Sequence, residues 1–104
     1  MKKIMLVCAA GMSTSLLVTK MEAAAKDLGD EVEIFALPIS DGVNKVTEVD
    51  CILLGPQVRF QKPTVEKAMD AAGVSKPVAV IDMKDYGMMN GAKVYATAKE
   101  LMGE

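Results

Sequence analysis

Apolar residues fall in two rhythms along this chain, short unbroken runs and helical stripes, and the two alternate. Residues 4–7 are continuously apolar, as a strand covered on both faces requires. A stripe follows over residues 13–28, where Leu17, Met21, Ala24, Ala25 and Leu28 share one face and Lys20, Glu22, Lys26 and Asp27 fall mostly on the other. Gly29 ends that helix. Residues 31–37, rich in Val, Ile and Phe, read as a second strand closed by Pro38. Ser40 offers a cap to a short helix through about residue 48, weakened by Gly42. Residues 50–54 form a third strand stopped by Gly55-Pro56. A loop over residues 57–62 leads to Pro63 in the first turn of a helix whose apolar face is Val65, Ala68, Met69 and Ala72, and which Gly73 stops. Residues 78–81 are a fourth apolar strand and residues 82–89 a loop. Asn90 caps the last helix, which turns Val94, Ala98, Leu101 and Met102 inward.

Strands that alternate with helices and are apolar throughout predict an α/β fold, a parallel sheet with helices on both faces. Right-handed crossovers leave few topologies, and the strand order 2-1-3-4 is expected. In that order the chain reverses its direction of travel between strands 1 and 3. Ligands of such sheets bind at this switch point, beyond the carboxyl ends of the strands. The residues after strand 1, beginning with Cys8, land there, and residues 55–59 after strand 3 form the opposite wall. The 104 residues, 1–104, are expected to form one domain, without repeats.

Composition removes several chemistries. The net charge of −2, without any cluster of Lys or Arg among aromatics, leaves no footprint for nucleic acid. The chain has no histidine, which excludes a histidine base, phosphohistidine on this chain and histidine metal sites. Its two cysteines, not spaced as Cys-x-x-Cys, suggest a reducing compartment and make a zinc site unexpected. Cys51 lies inside an apolar run and reads as core. Met1-Lys2-Lys3 before an apolar run mimics a minimal signal peptide, but the run is seven residues long and ends in Gly-Met-Ser-Thr-Ser, so a strand is expected instead. No stretch is long enough to span a membrane.

Cys8 is the residue that invites chemistry. It is followed by Ala9, Ala10 and Gly11, then by Met12, Ser13, Thr14 and Ser15, a small-residue turn running into helix-capping types. Residues 4–19 carry no charge, so positive potential at the turn comes from peptide dipoles and the helix N-terminus. Such a position favours a thiolate and holds an anion. The plain alternative is a buried structural thiol, since free Cys is among the most buried residue types. A thiolate in an anion-binding turn suggests a phosphocysteine intermediate. The phosphatase loop Cys-(x)5-Arg-Ser/Thr comes near: Cys8 and Ser15 match its ends, but Thr14 stands where the arginine must be. Without that cation to stabilise the transferring group, hydrolysis is expected to be slow, which suits a carrier.

Three segments together give the chain a likeness: residues 4–15 with Cys8, Leu54-Gly55-Pro56-Gln57-Val58-Arg59 after strand 3, and Tyr86-Gly87-Met88-Met89-Asn90-Gly91 before the last helix. Over essentially its whole length it resembles the enzyme IIB component of the phosphoenolpyruvate-dependent sugar phosphotransferase system, lactose/cellobiose (chitobiose) family. The resemblance implies a flavodoxin-like sheet of four parallel strands and a cytoplasmic location. It implies transfer of phosphate from a phosphohistidine on enzyme IIA to Cys8, then to a disaccharide held by the membrane component IIC. The N–H groups of residues 9–15 then hold the phosphate oxygens, while the hydroxyls of Ser13, Thr14 and Ser15 either join them or cap the helix. Arg59 either reaches the phosphoryl group or the partner, or is a solvated loop residue. Tyr86 is expected to pack beside the site. Met12, Met88 and Met89 fall in loops at the same end and suit an adaptable docking face for IIA and IIC. Asp82 ends strand 4 near the switch, but a carrier gains nothing from an acid there. No metal or cofactor is expected.

Competing readings are a low-molecular-weight phosphatase, disfavoured by Thr14, and a non-catalytic flavodoxin-like interaction module with Cys8 packed in the core. A receiver domain needs an Asp where Leu54-Gly55-Pro56 stands, a dinucleotide site needs three glycines in the turn, and a thioredoxin-like site needs a second cysteine.

Overall fold

Seven residues at the start of the chain sit between two parallel neighbours, and this pairing organises the molecule. The computed structural model describes residues 1–8 and 12–103, and of Met12, Ser13 and Thr14 the backbone alone. Along the chain run β1 (Lys2–Cys8), α1 (Met12–Asp27), β2 (Val32–Pro38), α2 (Ile39–Gly42), β3 (Cys51–Leu54), a 3-10 segment (Pro56–Gln61), α3 (Lys62–Ala72), β4 (Val78–Val80), α4 (Met83–Gly87) and α5 (Gly91–Leu101). The strands form one sheet in the order β2-β1-β3-β4, every pairing parallel. β1 lies in register with β2 from Lys2 opposite Val32 to Cys8 opposite Pro38, and with β3 from Ile4 opposite Cys51 to Val7 opposite Leu54. The doubly wound order 2-1-3-4 expected from the sequence is the one observed.

Alternation along β1 divides the core in two. Ile4 and Leu6 pack with Leu17, Met21 and Ala25 of α1 and with Val94, Tyr95 and Ala98 of α5. Met5 and Val7 pack on the other face with Val46, Val49, Val58, Val65 and Met69. All four β1 residues are fully buried, each removing side-chain surface worth about 1.5–3 kcal/mol. The unbroken apolar run of residues 4–7 thus has its cause: a side chain pointing either way meets a helical layer.

Several elements differ from expectation, each for a local reason. The helix proposed over residues 40–48 is the single turn α2, preceded by Pro38 and lacking a side-chain cap, so Ser40 sits inside the turn. Gly42 lies against β1, where a Cβ would stand 3.1 Å from Val7 Cγ2. Residues 57–62, expected as loop, are instead helical: the 3-10 segment Pro56–Gln61, anchored by buried Val58, runs into α3 at Lys62. Residues 82–89 contain α4: the Asp82 carboxylate accepts from Lys84 N (2.8 Å) and Asp85 N (3.4 Å), capping the turn. β4 is an edge strand, and Val80 is 38% exposed. Leu28, assigned to the inner stripe, lies one residue past α1 and is exposed. Tyr95, which the stripe of the last helix left out, is fully buried.

α1 and α5 cross where Gly91 opens α5. A Cβ on Gly91 would press on the Lys20 backbone and come within 2.6 Å of Met21 N, so only glycine admits this approach. At the far end of the same helix pair, Asp30 Oδ2 accepts from Tyr95 Oη at 2.8 Å and Lys99 Nζ at 2.7 Å. Gly29, in the left-handed region at φ 75°, turns the chain so that Asp30 N reaches Ala25 O at 2.9 Å. The hydrogen bonds from Lys99 and then Tyr95 hold the Asp30 carboxyl below its ordinary value of 3.8, outweighing its desolvation.

Two expectations follow from these contacts. Gly91→Ala should lower stability by about 1–3 kcal/mol through overpacking, seen as a lower melting temperature; an unchanged melt would contradict the close crossing. Because the Asp30 carboxyl is held low, its contribution is present above pH 3.8 and is lost as pH falls through the lower folded value. The stability gap between wild type and Asp30→Asn should therefore be constant near neutrality and shrink below pH 3.8, read from denaturant melts across pH.

Candidate functional site

Cys8 is the last residue of β1 and shares the parity of Ile4 and Leu6, so it points toward the α1 layer. The residue is 4% exposed, and Sγ lies 3.9 Å from the carbonyl oxygen of Leu37 on β2. Four positions later α1 begins, running back antiparallel to β1, with no acidic residue in its first turn and Lys26 in its last. Lys26 therefore complements the dipole at the C-terminal end, while no acidic side chain offsets the positive end that follows β1. β1 stands at the switch of direction: the chain crosses to β2 on one side and, after β2, to β3 on the other. This is the crevice where doubly wound sheets take ligands.

The carboxyl ends of the neighbouring strands are tied to this point. Gly55 N donates to Val7 O at 2.8 Å, and Ile81 N donates to Leu54 O at 2.8 Å. These bonds carry the ladder one residue past β3 and set Gly55 beside the last peptide of β1. Tyr86, buried in α4, covers the same strand ends: a Cβ on Gly55 would stand 3.7 Å from Tyr86 Cε2 and 3.6 Å from Val7 O. Tyr86 thus packs next to the end of β1, brought there by the Asp82 cap, which fixes where α4 starts.

The other sequence candidates are placed as follows. Ala9, Ala10 and Gly11 lie outside the described residues, as do the side chains of Met12, Ser13 and Thr14. Ser15 is exposed, and its carbonyl accepts from Thr19 Oγ1 at 3.2 Å. Arg59 sits on the 3-10 segment after β3, exposed, with Nη1 donating back to Pro56 O at 3.2 Å. Met88 is 67% exposed just past α4, while Met89 is partly buried against the α1 layer at φ 52°. Asp82 spends its Oδ1 on the α4 cap. Cys51 begins β3 at the opposite end of the sheet, fully buried; burial first, then Asp50, pushes its thiol up to about 11.

Sequence reasoning missed two apolar residues on the segments that leave the strand ends: Phe60 on the 3-10 segment, 70% exposed, and Met83 at the start of α4, 68% exposed. The available signal was a large apolar residue in a predicted loop with no periodic partner. Leu16 in α1 and Met88 just past α4 are likewise exposed.

Comparison with known proteins bears on this site. The family model "PTS system, Lactose/Cellobiose specific IIB subunit" matches residues 3–97. The chain is 53% identical to the cellobiose-specific EIIB component of the phosphotransferase system from Lactococcus lactis subsp. lactis, over 97% of this chain and 96% of that one. It is 52% identical, with the same coverage, to the galactose-specific EIIB component of Lactococcus lactis subsp. cremoris. Among solved structures it superposes on the cellobiose-specific phosphotransferase IIB component from Borrelia burgdorferi with a TM-score of 0.78 and 38% identity, covering 98% of this chain and 92% of that one.

The Cys51 thiol should be out of reach of a reagent in the folded protein. In folded protein near neutral pH, Cys51 is expected to stay unalkylated, since it is fully buried and its thiolate is scarce, and to react once denaturant is added. Peptide mass mapping reads this; labelling of Cys51 in the native protein as fast as in the unfolded chain would contradict it.

Proposed function

Because this chain belongs to the lactose/cellobiose-specific IIB subunits of the sugar phosphotransferase system, and is thus a phosphotransferase, we propose that Cys8 is its phosphoryl carrier. The thiolate of Cys8 attacks the phosphorus of a phosphohistidine on enzyme IIA. The S–P bond forms as the P–N bond breaks, and the imidazole leaves with the electron pair. A hydroxyl oxygen of a disaccharide bound by the membrane component IIC then attacks the same phosphorus. The O–P bond forms, the S–P bond breaks, and Cys8 recovers its pair as thiolate. The hydroxyl proton goes to a base outside the turn, whose residues 9–15 have no ionisable side chain.

One observation above all supports this reading. Cys8 ends the central strand at the switch of chain direction, ahead of a helix N-terminus free of acidic residues. In the proposal the backbone N–H groups of residues 9–15 cradle the phosphate oxygens, and the hydroxyls of Ser13, Thr14 and Ser15 supplement them or cap α1. Thr14 at the position of the phosphatase arginine keeps water from taking the group, so the protein holds what it accepts. Tyr86 walls the crevice. Met88 lends an adaptable apolar contact to both partners. Arg59, turned back on Pro56 O, serves the partner surface rather than the phosphoryl group.

No described helix is long and apolar enough to cross a membrane, which suits a shuttle working from the cytoplasmic side of IIC. The sugar belongs to the lactose/cellobiose class, and its choice lies in IIC: relatives named for cellobiose and for galactose are 53% and 52% identical to this chain. A single observation favours another reading, in which Cys8 is a packed structural thiol: the residue is 4% exposed.

Incubation with phosphoenolpyruvate, the general phosphotransferase proteins and a lactose/cellobiose-type IIA decides between the two. Intact-mass spectrometry should show one added phosphoryl group, mapped to Cys8, retained by Cys51→Ser and absent from Cys8→Ser. Met88→Ala should slow transfer without abolishing it. Phosphorylation of Cys8→Ser at wild-type level, or none of wild type with an active IIA, would overturn the proposal.

A further inference from the structure

β4 leaves one edge of the sheet open, and its neighbours make that edge self-complementary. Ile52 N donates to Pro77 O at 2.9 Å and Ile81 N to Leu54 O at 2.8 Å, so residues 77 and 81 face β3. By alternation the N–H and C=O groups of Val78 and Val80 face outward. Asp82 continues the extended backbone at φ −58° and ψ 133°. Hollows run along the edge on both faces of the sheet. One of about 380 Å³ lies between α3 and β4, lined by Glu66, Met69, Asp70 and Lys76 among others. A smaller one beside α5 includes Val80, Asp85 and Thr97. Val80 itself is 38% exposed, unusual for a large aliphatic on a short strand.

We propose that a second copy of this chain pairs with this edge, antiparallel, about a twofold axis at Ala79. That register sets Val78 of each copy opposite Val80 of the other, in bonded pairs that satisfy all four outward-facing residues and cover both exposed valines. It also sets Lys76 opposite Asp82 of the partner copy, twice by symmetry. Neither Lys76 nor Asp82 joins an ion pair among the described residues, and the Asp82 cap uses Oδ1, leaving Oδ2 directed elsewhere. Charge selects the register. An axis at Val80 would set Lys76 against Lys84 of the partner copy, and an axis at Val78 would set it against an apolar Val80. One-residue slips turn the bonding groups away from each other. The pairing joins two sheets into one of eight strands with their carboxyl ends pointing in opposite directions. Both Cys8 crevices stay open, and the inference does not depend on the role of Cys8.

The seam is short, so association is expected at high protein concentration. Sedimentation equilibrium of the full chain from micromolar to millimolar concentration should show a monomer–dimer equilibrium. Lys76→Glu should weaken it by about tenfold, with both symmetry-related pairs turned repulsive. Asp82→Asn, which keeps an Oδ1 acceptor for the α4 cap while removing the charge, should weaken it as well. Val80→Pro removes an outward N–H while leaving the bonds to β3, and should abolish the dimer with the circular dichroism spectrum retained. Phosphoryl transfer from IIA to the Lys76→Glu monomer should be unchanged, which separates this test from the carrier assay. A monomer throughout the range, or a dimer indifferent to both Lys76→Glu and Val80→Pro, would overturn the proposal.

Discussion

β1 is hydrogen-bonded on both edges and covered on both faces, and most of what is distinctive in this chain follows from that double constraint. A strand paired in parallel on both sides cannot reach either neighbour by a hairpin and has to be left by a crossover, and a strand buried on both faces has to be apolar at every position. Residues 4–7 meet the second demand with Ile, Met, Leu and Val. The first demand fixes where the chain goes after Cys8. It turns into α1, whose face of Leu17, Met21 and Ala25 returns over Ile4 and Leu6. The helix N-terminus is thereby held at the carboxyl end of the strand, and the dipole that favours an anion is a consequence of the packing, needing no cation in residues 4–19.

Elements whose character is set by many residues in one rhythm were legible in the sequence; elements set by one contact were not. β1, β3, α1 and α3 each carry a run or stripe that only one structure satisfies, and their order implied the sheet. α2 was overestimated because a polar, capping-rich stretch looks helical, whereas Gly42 is there to let the turn lie on Val7. α4 was read as loop because five residues hold no period, and the Asp82 cap that creates it is a single side chain. Tyr95 lies outside the expected stripe because a buried hydroxyl needs a partner, and one that accepts from it, Asp30, is sixty-five positions away. Non-local partners leave no periodic trace.

The same division runs through the site. The place of Cys8 could be read from the switch-point rule, because topology alone puts the end of strand 1 there. The contacts around it leave less trace in the pattern: Tyr86, expected beside the site from the resemblance, reaches the strand end through a cap on a five-residue helix, and Arg59, open to several roles in the sequence, turns onto the carbonyl of Pro56. Gly91 is the reverse case. It belongs to the segment of residues 86–91 that carries the family resemblance, and the structure gives it a packing reason, the crossing of α1 and α5. A short motif can mix residues kept for chemistry with residues kept for fit.

On the proposed reading, the scarcity of cations near Cys8 becomes part of the mechanism. A carrier must bind phosphate well enough to accept it and poorly enough to release it, in both directions and to two different partners. A buried guanidinium would stabilise the charge on the transferring phosphoryl group whichever nucleophile attacked it, water included. Peptide N–H groups at a helix N-terminus stabilise the resting phosphoryl group through fixed partial charges, and leave the incoming partner to supply the rest. Exposed Phe60 and Met83, on the segments that leave the strand ends, fit that division of labour, because a face that docks by burying methionine and phenylalanine excludes water from the crevice while transfer takes place. Selectivity against hydrolysis then has two sources, the missing guanidinium inside the crevice and the partner that covers it during transfer.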